Sequence, residues 1–289
     1  MRQSLLAQSG AAPAGGARRP PWLRLPLLCC QAAGGDPRLA EPAAAAWVLL
    51  YAAAHLLDSI QDGDPPEAWW EPLGSGPASN VATGLIATCS LLLTSGPEPH
   101  PSQDLLKQDF FQTVLQMSSA QHFDLTVPSP SLDDCWRMAE AKSGAFFGLA
   151  CRAGARAAGI DEALVSHYST YGVGLGLLVQ IGDDLGDLAA VKSGQSGHGL
   201  LALPMAYFMA VASPAAREKM LQSKRATNGQ LELAPGVIEL LESSGAGLYL
   251  MASVHELRQK AACALGLAAQ PAAAFQELLE LLESSPSSA

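Results

Sequence analysis

The sequence predicts an all-α protein folded as one large domain, and three observations carry that reading. Ala and Leu, both good helix formers, dominate, and the period-2 alternation of β-branched residues that marks strands is absent. Apolar runs of helical length recur from end to end, separated by breakers rich in Gly and Pro. Two of these runs finish in aspartates: Asp58-Ser59-Ile60-Gln61-Asp62-Gly63-Asp64 and Gln180-Ile181-Gly182-Asp183-Asp184-Leu185-Gly186-Asp187.

Taken in order, residues 1–21 are rich in Gly, Ala, Pro and Arg and are expected to be disordered. Helices are then expected near 22–33, 39–62, 78–95, 103–119, 131–158, 161–187, 201–222, 232–244, 246–268 and 271–284. Gly34-Gly35-Asp36-Pro37, Asp64-Pro65-Pro66, Gly96-Pro97-Glu98-Pro99, Val127-Pro128-Ser129-Pro130 and Gly194-Gln195-Ser196-Gly197 separate them. Ser131 with Asp134 three residues on reads as a capping box, Asp standing in for Glu. The runs 131–158 and 161–187 are apolar nearly all round, which places them inside a large bundle. Glycines recur along both, and glycine inside a helix costs about 0.5–1 kcal/mol against Ala, so they imply close packing or room for a ligand. One domain over 22–284 and a disordered tail over 285–289 complete the organisation.

Of 289 residues, 49% are hydrophobic and only 15% charged, ample material for a core. The net charge of −10 argues against a nucleic-acid surface, which needs clustered Lys and Arg. Cys29, Cys30, Cys89, Cys135, Cys151 and Cys263 form no metal or disulfide spacing and read as small buried hydrophobes in a reducing, cytoplasmic setting. Leu5-Leu6-Ala7 is too short for a secretory leader, and the apolar stretch from Ala43 to Leu57 is too short to span a membrane.

Carboxylates at the end of an apolar helix are costly unless a cation neutralises them. Asp58 and Asp62 share a helix face, as do Gln180, Asp183, Asp184 and Asp187. Two facing sets of hard oxygen ligands suit Mg²⁺ that takes its remaining ligands from water and phosphate. Lys142 precedes an apolar run and either snorkels along it or holds a diphosphate as a point charge. His55, on an apolar face, reads as a satisfied core histidine. Gln121 and Asp124 stand at an ordinary helix end, and Trp69-Trp70 either cover a pocket or pack.

With these residues in hand, the chain resembles the trans-isoprenyl diphosphate synthase (polyprenyl synthetase) family from about residue 15 to 270. Asp58-Ser59-Ile60-Gln61-Asp62 is similar to its first Asp-rich motif, DDxxD. Tyr171-Gly172-x-x-Leu175-Gly176-x-x-x-Gln180-Ile181-x-Asp183-Asp184-x-x-Asp187 resembles the second. Lys142-Ser143-Gly144 stands where the family has K-T/S-G, Ala120-Gln121-x-x-Asp124 resembles its G-Q-x-x-D, and Leu203-Pro204 sits where the following helix begins.

The resemblance implies a bundle of ten or more orthogonal helices around a central apolar cavity. It also implies about three Mg²⁺ held by Asp58, Asp62, Asp183, Asp184 and Asp187. Lys142 would hold an allylic prenyl diphosphate, Gln180 and Gln121 would support its ionisation, and isopentenyl diphosphate would attack the cation. Tyr51 and Ala54, before the first motif, would set product length, Tyr51 as a floor, and the protein would pair as a homodimer. The chain departs from the family where isopentenyl diphosphate binds. Gly15-Gly16-Ala17-Arg18-Arg19-Pro20-Pro21 lacks the family's Lys, leaving Arg18 and Arg19; Asp64 to Trp70 lacks an Arg pair; and Gly199 to Pro204 lacks a Lys. Each charge-assisted phosphate contact contributes about 1.5–3 kcal/mol, so elongation is expected to be weak or absent. The alternatives are a same-fold prenyltransferase or terpene synthase with no use for isopentenyl diphosphate, and a non-catalytic partner of a heteromeric synthase.

Overall fold

The structure is a computed structural model that describes residues 21–64, 66–67, 69–94, 102–192, 202–227, 230–233, 236–268 and 273–285. Arg18, Arg19, the N-terminal segment and the last four residues of the expected tail lie outside the described residues, as does Gly199 to Leu201. A 3₁₀ turn, Pro21–Arg24, leads into α1 (Leu25–Ala32), and a second, Pro37–Ala40, leads into α2 (Glu41–Asp62). There follow α3 (Ser75–Thr94), α4 (Gln103–Thr126), α5 (Leu132–Ala139), a π-helical turn Glu140–Gly144, α6 (Ala145–Ala157) and α7 (Glu162–Lys192). The last part holds α8 (Ala202–Val211), α9 (Pro214–Ser223), β1 (Lys224–Thr227), β2 (Gln230–Leu233), α10 (Val237–Ser243), α11 (Ala246–Ala268) and α12 (Ala273–Ser284).

The all-α expectation holds, with local corrections. The run near 201–222 is two helices, because Pro214 starts a new one behind Ser213, whose hydroxyl accepts the Ala216 N–H at 3.3 Å. The helix expected from 232 begins only at Val237, after an antiparallel hairpin that sets Thr227 opposite Gln230. The Asn228-Gly229 dipeptide between the strands is the sequence signal for that turn. The expected helix 103–119 continues to Thr126 and so carries Gln121 and Asp124 on its last turns. The Ser131–Asp134 capping box forms as read.

The bundle core lies where α2, α6 and α7 meet. The Trp47 indole donates to the Phe146 carbonyl at 2.8 Å, and the two rings stack at 4.6 Å. Tyr171 is fully buried and donates to the Leu278 carbonyl at 2.8 Å, tying α7 to α12. The glycines of α7 serve close packing. A Cβ on Gly176 would meet the Ser143 carbonyl at 2.3 Å, and one on Gly172 the Phe147 carbonyl at 2.5 Å. Only glycine lets α7 lie this close to the π turn.

Five cysteines are buried and Cys263 is exposed, all as free thiols. Burial pushes Cys30, Cys89 and Cys135 up to about 11, so they pack as neutral hydrophobes. The expectation that no segment is long enough to span a membrane is corrected: Pro37–Asp62 and Ser75–Thr94 both qualify by length and composition. Structured turns and helix extend the first run beyond the apolar stretch read from sequence, and α2 buries Trp47, Leu50 and Leu56 within the bundle.

Candidate functional site

The site is built from the ends of α2 and α4, the π turn and the last third of α7. Helix α2 stops at Asp62 because Gly63 turns left-handed (φ 70°), and the Asp64 N–H bonds back to the Ser59 carbonyl at 3.0 Å. Along α2, Trp47, Tyr51, His55, Asp58 and Asp62 recur at helical spacing and form one stripe. Ser59 lies off that stripe and is 4% exposed, so the carboxylate missing from this position would have been buried.

Lys142 is the hub of the charged layer. Its ammonium donates to Asp124 at 2.7 Å and lies 3.7 Å from Asp58, joining the ends of α4 and α2. Gln121 donates to Asp62 at 3.1 Å, a second α4–α2 link. Ser143 donates to the Gln180 side-chain oxygen at 3.1 Å, joining the π turn to α7. The π turn follows from this convergence, since a wide turn lets Lys142 and Ser143 face different helices, and such turns recur at functional sites.

On α7, Asp183, Asp184 and Asp187 are all buried. Burial pushes the Asp184 carboxyl up to about 7, against the pull of the Leu203 N–H it accepts at 3.0 Å; Asp183 and Asp187 push it further. That bond ties α7 to the start of α8. Among the described residues, no group of three or more His, Cys, Asp or Glu side chains is arranged to hold a metal by itself.

Beneath the charged layer the interior is aromatic. Tyr51 lies 5.3 Å from Trp22 and 6.0 Å from Phe146, and stacks parallel on His55 at 5.9 Å (ring centroids). Trp22 also packs edge-on against Trp47 at 5.7 Å. Burial pushes the Tyr51 hydroxyl up to about 12, helped by Glu67 and Asp183, which sets Tyr51 electrostatically beside both aspartate-bearing helices. Ala54 is half-buried on α2, whereas Ala53 is buried among Trp70, Ala78 and Ala82 on the α3 side.

The structure thus brings together Asp58, Asp62, Gln121, Asp124 and Lys142, and links Gln180 to them through Ser143. A feature that sequence reasoning missed stands beside them. Glu67, on the segment after α2, reaches back to His55 Nε2 at 2.5 Å and accepts the Trp69 indole N–H at 3.1 Å. His55 is satisfied, as expected, but its place on the Tyr51–Asp58 stripe was the signal that it belongs to the site. Trp70 is buried while Trp69 is 52% exposed.

Comparison with known proteins identifies the frame on which these residues sit. The polyprenyl synthetase family profile matches residues 12–235. The chain belongs to the polyprenyl synthetase family. The geranylgeranyl diphosphate synthase of Mycobacterium tuberculosis is 30% identical over 173 residues, 57% of this chain and 49% of that protein. The tryptophan prenyltransferase ComQ of Bacillus subtilis subsp. natto is 32% identical over 152 residues, 52% of this chain and 46% of that protein. The chain spans about half the length of these curated relatives. The crystal structure of geranylgeranyl pyrophosphate synthetase from Pyrococcus horikoshii superposes with a TM-score of 0.80 at 21% identity, covering 96% of this chain and 87% of that one. The polyprenyl synthetase fold therefore extends over nearly the whole chain.

Proposed function

We propose that this protein is a Mg²⁺-dependent prenyltransferase of the polyprenyl diphosphate synthase type, ionising an allylic prenyl diphosphate and passing the prenyl group to isopentenyl diphosphate. The observation that carries the reading is the Lys142 hub between Asp58 and Asp124, tied through the adjacent Ser143 to Gln180 on the helix that bears the buried Asp183, Asp184 and Asp187. The donor set fits Mg²⁺: all hard oxygen, split between two helices, and too dispersed to form a cage without phosphate and water. Asp58 and Asp62 would hold it on one side, and Asp183, with Asp184 and Asp187 in support, on the other. When bound, the metal would supply Lewis-acid stabilisation of charge on the departing pyrophosphate. Lys142 holds the diphosphate by point charge, Gln121 orients Asp62, and Ser143 orients Gln180. The aromatic interior excludes water from the prenyl cation. The test is Mg²⁺-dependent pyrophosphate release from geranyl or farnesyl diphosphate, with and without isopentenyl diphosphate. No release under either condition would sink the reading and favour the non-catalytic partner.

A second reading, an acceptor other than isopentenyl diphosphate or none, is favoured by Glu67. It stands where the resemblance calls for cations, and an acid there repels a second diphosphate. Release that does not depend on isopentenyl diphosphate selects this reading.

The floor of the proposed prenyl site is Tyr51, seven residues before Asp58 and about 10 Å along the helix. That depth suits a short allylic chain. Tyr51→Ala is expected to shift preference by one five-carbon unit toward the longer substrate or product, read by mass spectrometry. An unchanged length distribution would remove Tyr51 from this role.

The homodimer implied by the family resemblance finds support in α3 and α4. Only 22% of the most apolar stretch of α3 is buried, and Val81, Leu91, Phe111 and Leu115 are exposed on the two helices. Leu91→Lys with Leu115→Lys is expected to convert a dimer to a monomer in light scattering. A wild-type chain that is monomeric at micromolar concentration would overturn the proposal.

A further inference from the structure

We infer that His55, positioned by Glu67, is a general base that removes a proton from the allylic cation, giving this protein a lyase activity that releases a conjugated prenyl hydrocarbon. The inference rests on the allylic ionisation proposed above and concerns what becomes of the cation afterwards.

Four observations converge on it. His55 lies one turn before Asp58 on the same stripe, between Asp58 and Tyr51, the proposed floor of the prenyl site. Its ring stacks on Tyr51, the proposed floor, at 5.9 Å with an interplanar angle of 4°. Its side chain is only 12% exposed, so water does not compete freely for it. Finally, Glu67 fixes its tautomer. A carboxylate only accepts, so the Nε2–H donates to Glu67 Oε1, and in the neutral ring Nδ1 is then the atom with the lone pair. Glu67 is held in turn by the Trp69 indole N–H on its other oxygen. A half-buried base oriented by a carboxylate and stacked on Tyr51 is not needed to bind a diphosphate, and none of the roles assigned above uses it.

The step balances without a second substrate. The C1–O bond of the allylic diphosphate breaks, and its electron pair leaves with pyrophosphate. A C–H bond on the methyl at C3 of the resulting cation then breaks, and its electrons become a new C=C bond conjugated with the first. The proton goes to His55 Nδ1. The products are pyrophosphate and a hydrocarbon of the same carbon count with one more C=C than the substrate, a triene from geranyl diphosphate and a tetraene from farnesyl diphosphate.

The test incubates the purified full chain with Mg²⁺ and geranyl or farnesyl diphosphate, without isopentenyl diphosphate. Hydrocarbon and alcohol are counted by gas chromatography–mass spectrometry per pyrophosphate released. The wild type is expected to give mainly hydrocarbon. General bases contribute about 10²–10⁴ in rate, so His55→Gln is expected to shift the hydrocarbon-to-alcohol ratio at least tenfold toward water capture. Glu67→Gln, on the more exposed partner, is expected to move the same ratio in the same direction by a smaller factor. Because the readout is a ratio per turnover, partial unfolding of either variant does not imitate it. Pyrophosphate release from the wild type with only alcohol as the organic product would overturn the lyase inference and leave allylic ionisation standing. Hydrocarbon from the wild type at an unchanged ratio in both variants would overturn the assignment to His55. No pyrophosphate release without isopentenyl diphosphate would overturn the lyase inference, and allylic ionisation falls with it only if release is also absent when isopentenyl diphosphate is added.

Discussion

Asp183→Asn is expected to lower Mg²⁺-dependent pyrophosphate release about a thousandfold while leaving thermal stability unchanged or raised. A bound Lewis acid stabilises a departing oxyanion by several kcal/mol, and each 1.36 kcal/mol is tenfold in rate. The amide keeps the volume of the carboxylate in a well-packed helix, so the fold is retained. Its neutrality relieves a like-charge neighbour of Asp184, whose carboxyl burial and the adjacent aspartates hold up to about 7. Loss of activity and gain of stability therefore carry opposite signs, as they do where charge is gathered for function at the expense of the fold. Pyrophosphate release and a thermal melt on one preparation decide the matter. Activity within tenfold of wild type would show that the α7 aspartates do not hold the metal.

Much of this frame was legible in the sequence, because its signals are local. The two aspartate clusters, the Lys142-Ser143-Gly144 segment and the apolar periodicity of α2 and α7 each depend on spacing along a single helix. The glycines of α7 were read as close packing or room for a ligand, and Gly172 and Gly176 are spent on packing against α6 and the π turn. What the sequence withheld is contact between elements. Nothing in the chain announces that Asp124 takes the Lys142 ammonium, or that Glu67 folds back over twelve residues onto His55. The π turn was hidden for a related reason. The run 131–158 reads as uninterrupted helix, and only the pull of Asp124 and Gln180 from different sides widens it at Glu140–Gly144. The break before α9 and the β1–β2 hairpin go unread, although Ser213-Pro214 and Asn228-Gly229 are local signals for them, because the apolar run near 201–222 reads as one helix.

Asp109→Ala is expected to destabilise the fold by about 3–5 kcal/mol, the usual result of removing one partner from a buried ion pair. Asp109 is 7% exposed and takes both Arg156, at 2.5 Å, and Arg152, at 3.1 Å. Arg156 continues to Glu162 at 2.6 Å and to the Leu105 carbonyl at 3.3 Å, while Arg152 donates to Ser169 at 3.1 Å. The network thus joins α4, α6 and α7 at the end of the bundle away from the aspartates. Burial pushes the Asp109 carboxyl up, and the two guanidinium groups recover only part of that. The network is therefore not a net source of stability, and its value lies in register. Asp109 sits fifteen residues before Asp124 on α4, about 22 Å along the axis. A slip of α4 against α6 there would pull Asp124 away from Lys142 and Gln121 away from Asp62. Asp109→Leu combined with Arg152→Met and Arg156→Met, which replaces the ions by apolar bulk, should recover most of the stability lost in Asp109→Ala, read by chemical denaturation. Pyrophosphate release should stay depressed in that triple variant, because an apolar contact tolerates sliding that a bidentate ion network forbids. Full recovery of both stability and turnover would show that packing alone sets the register.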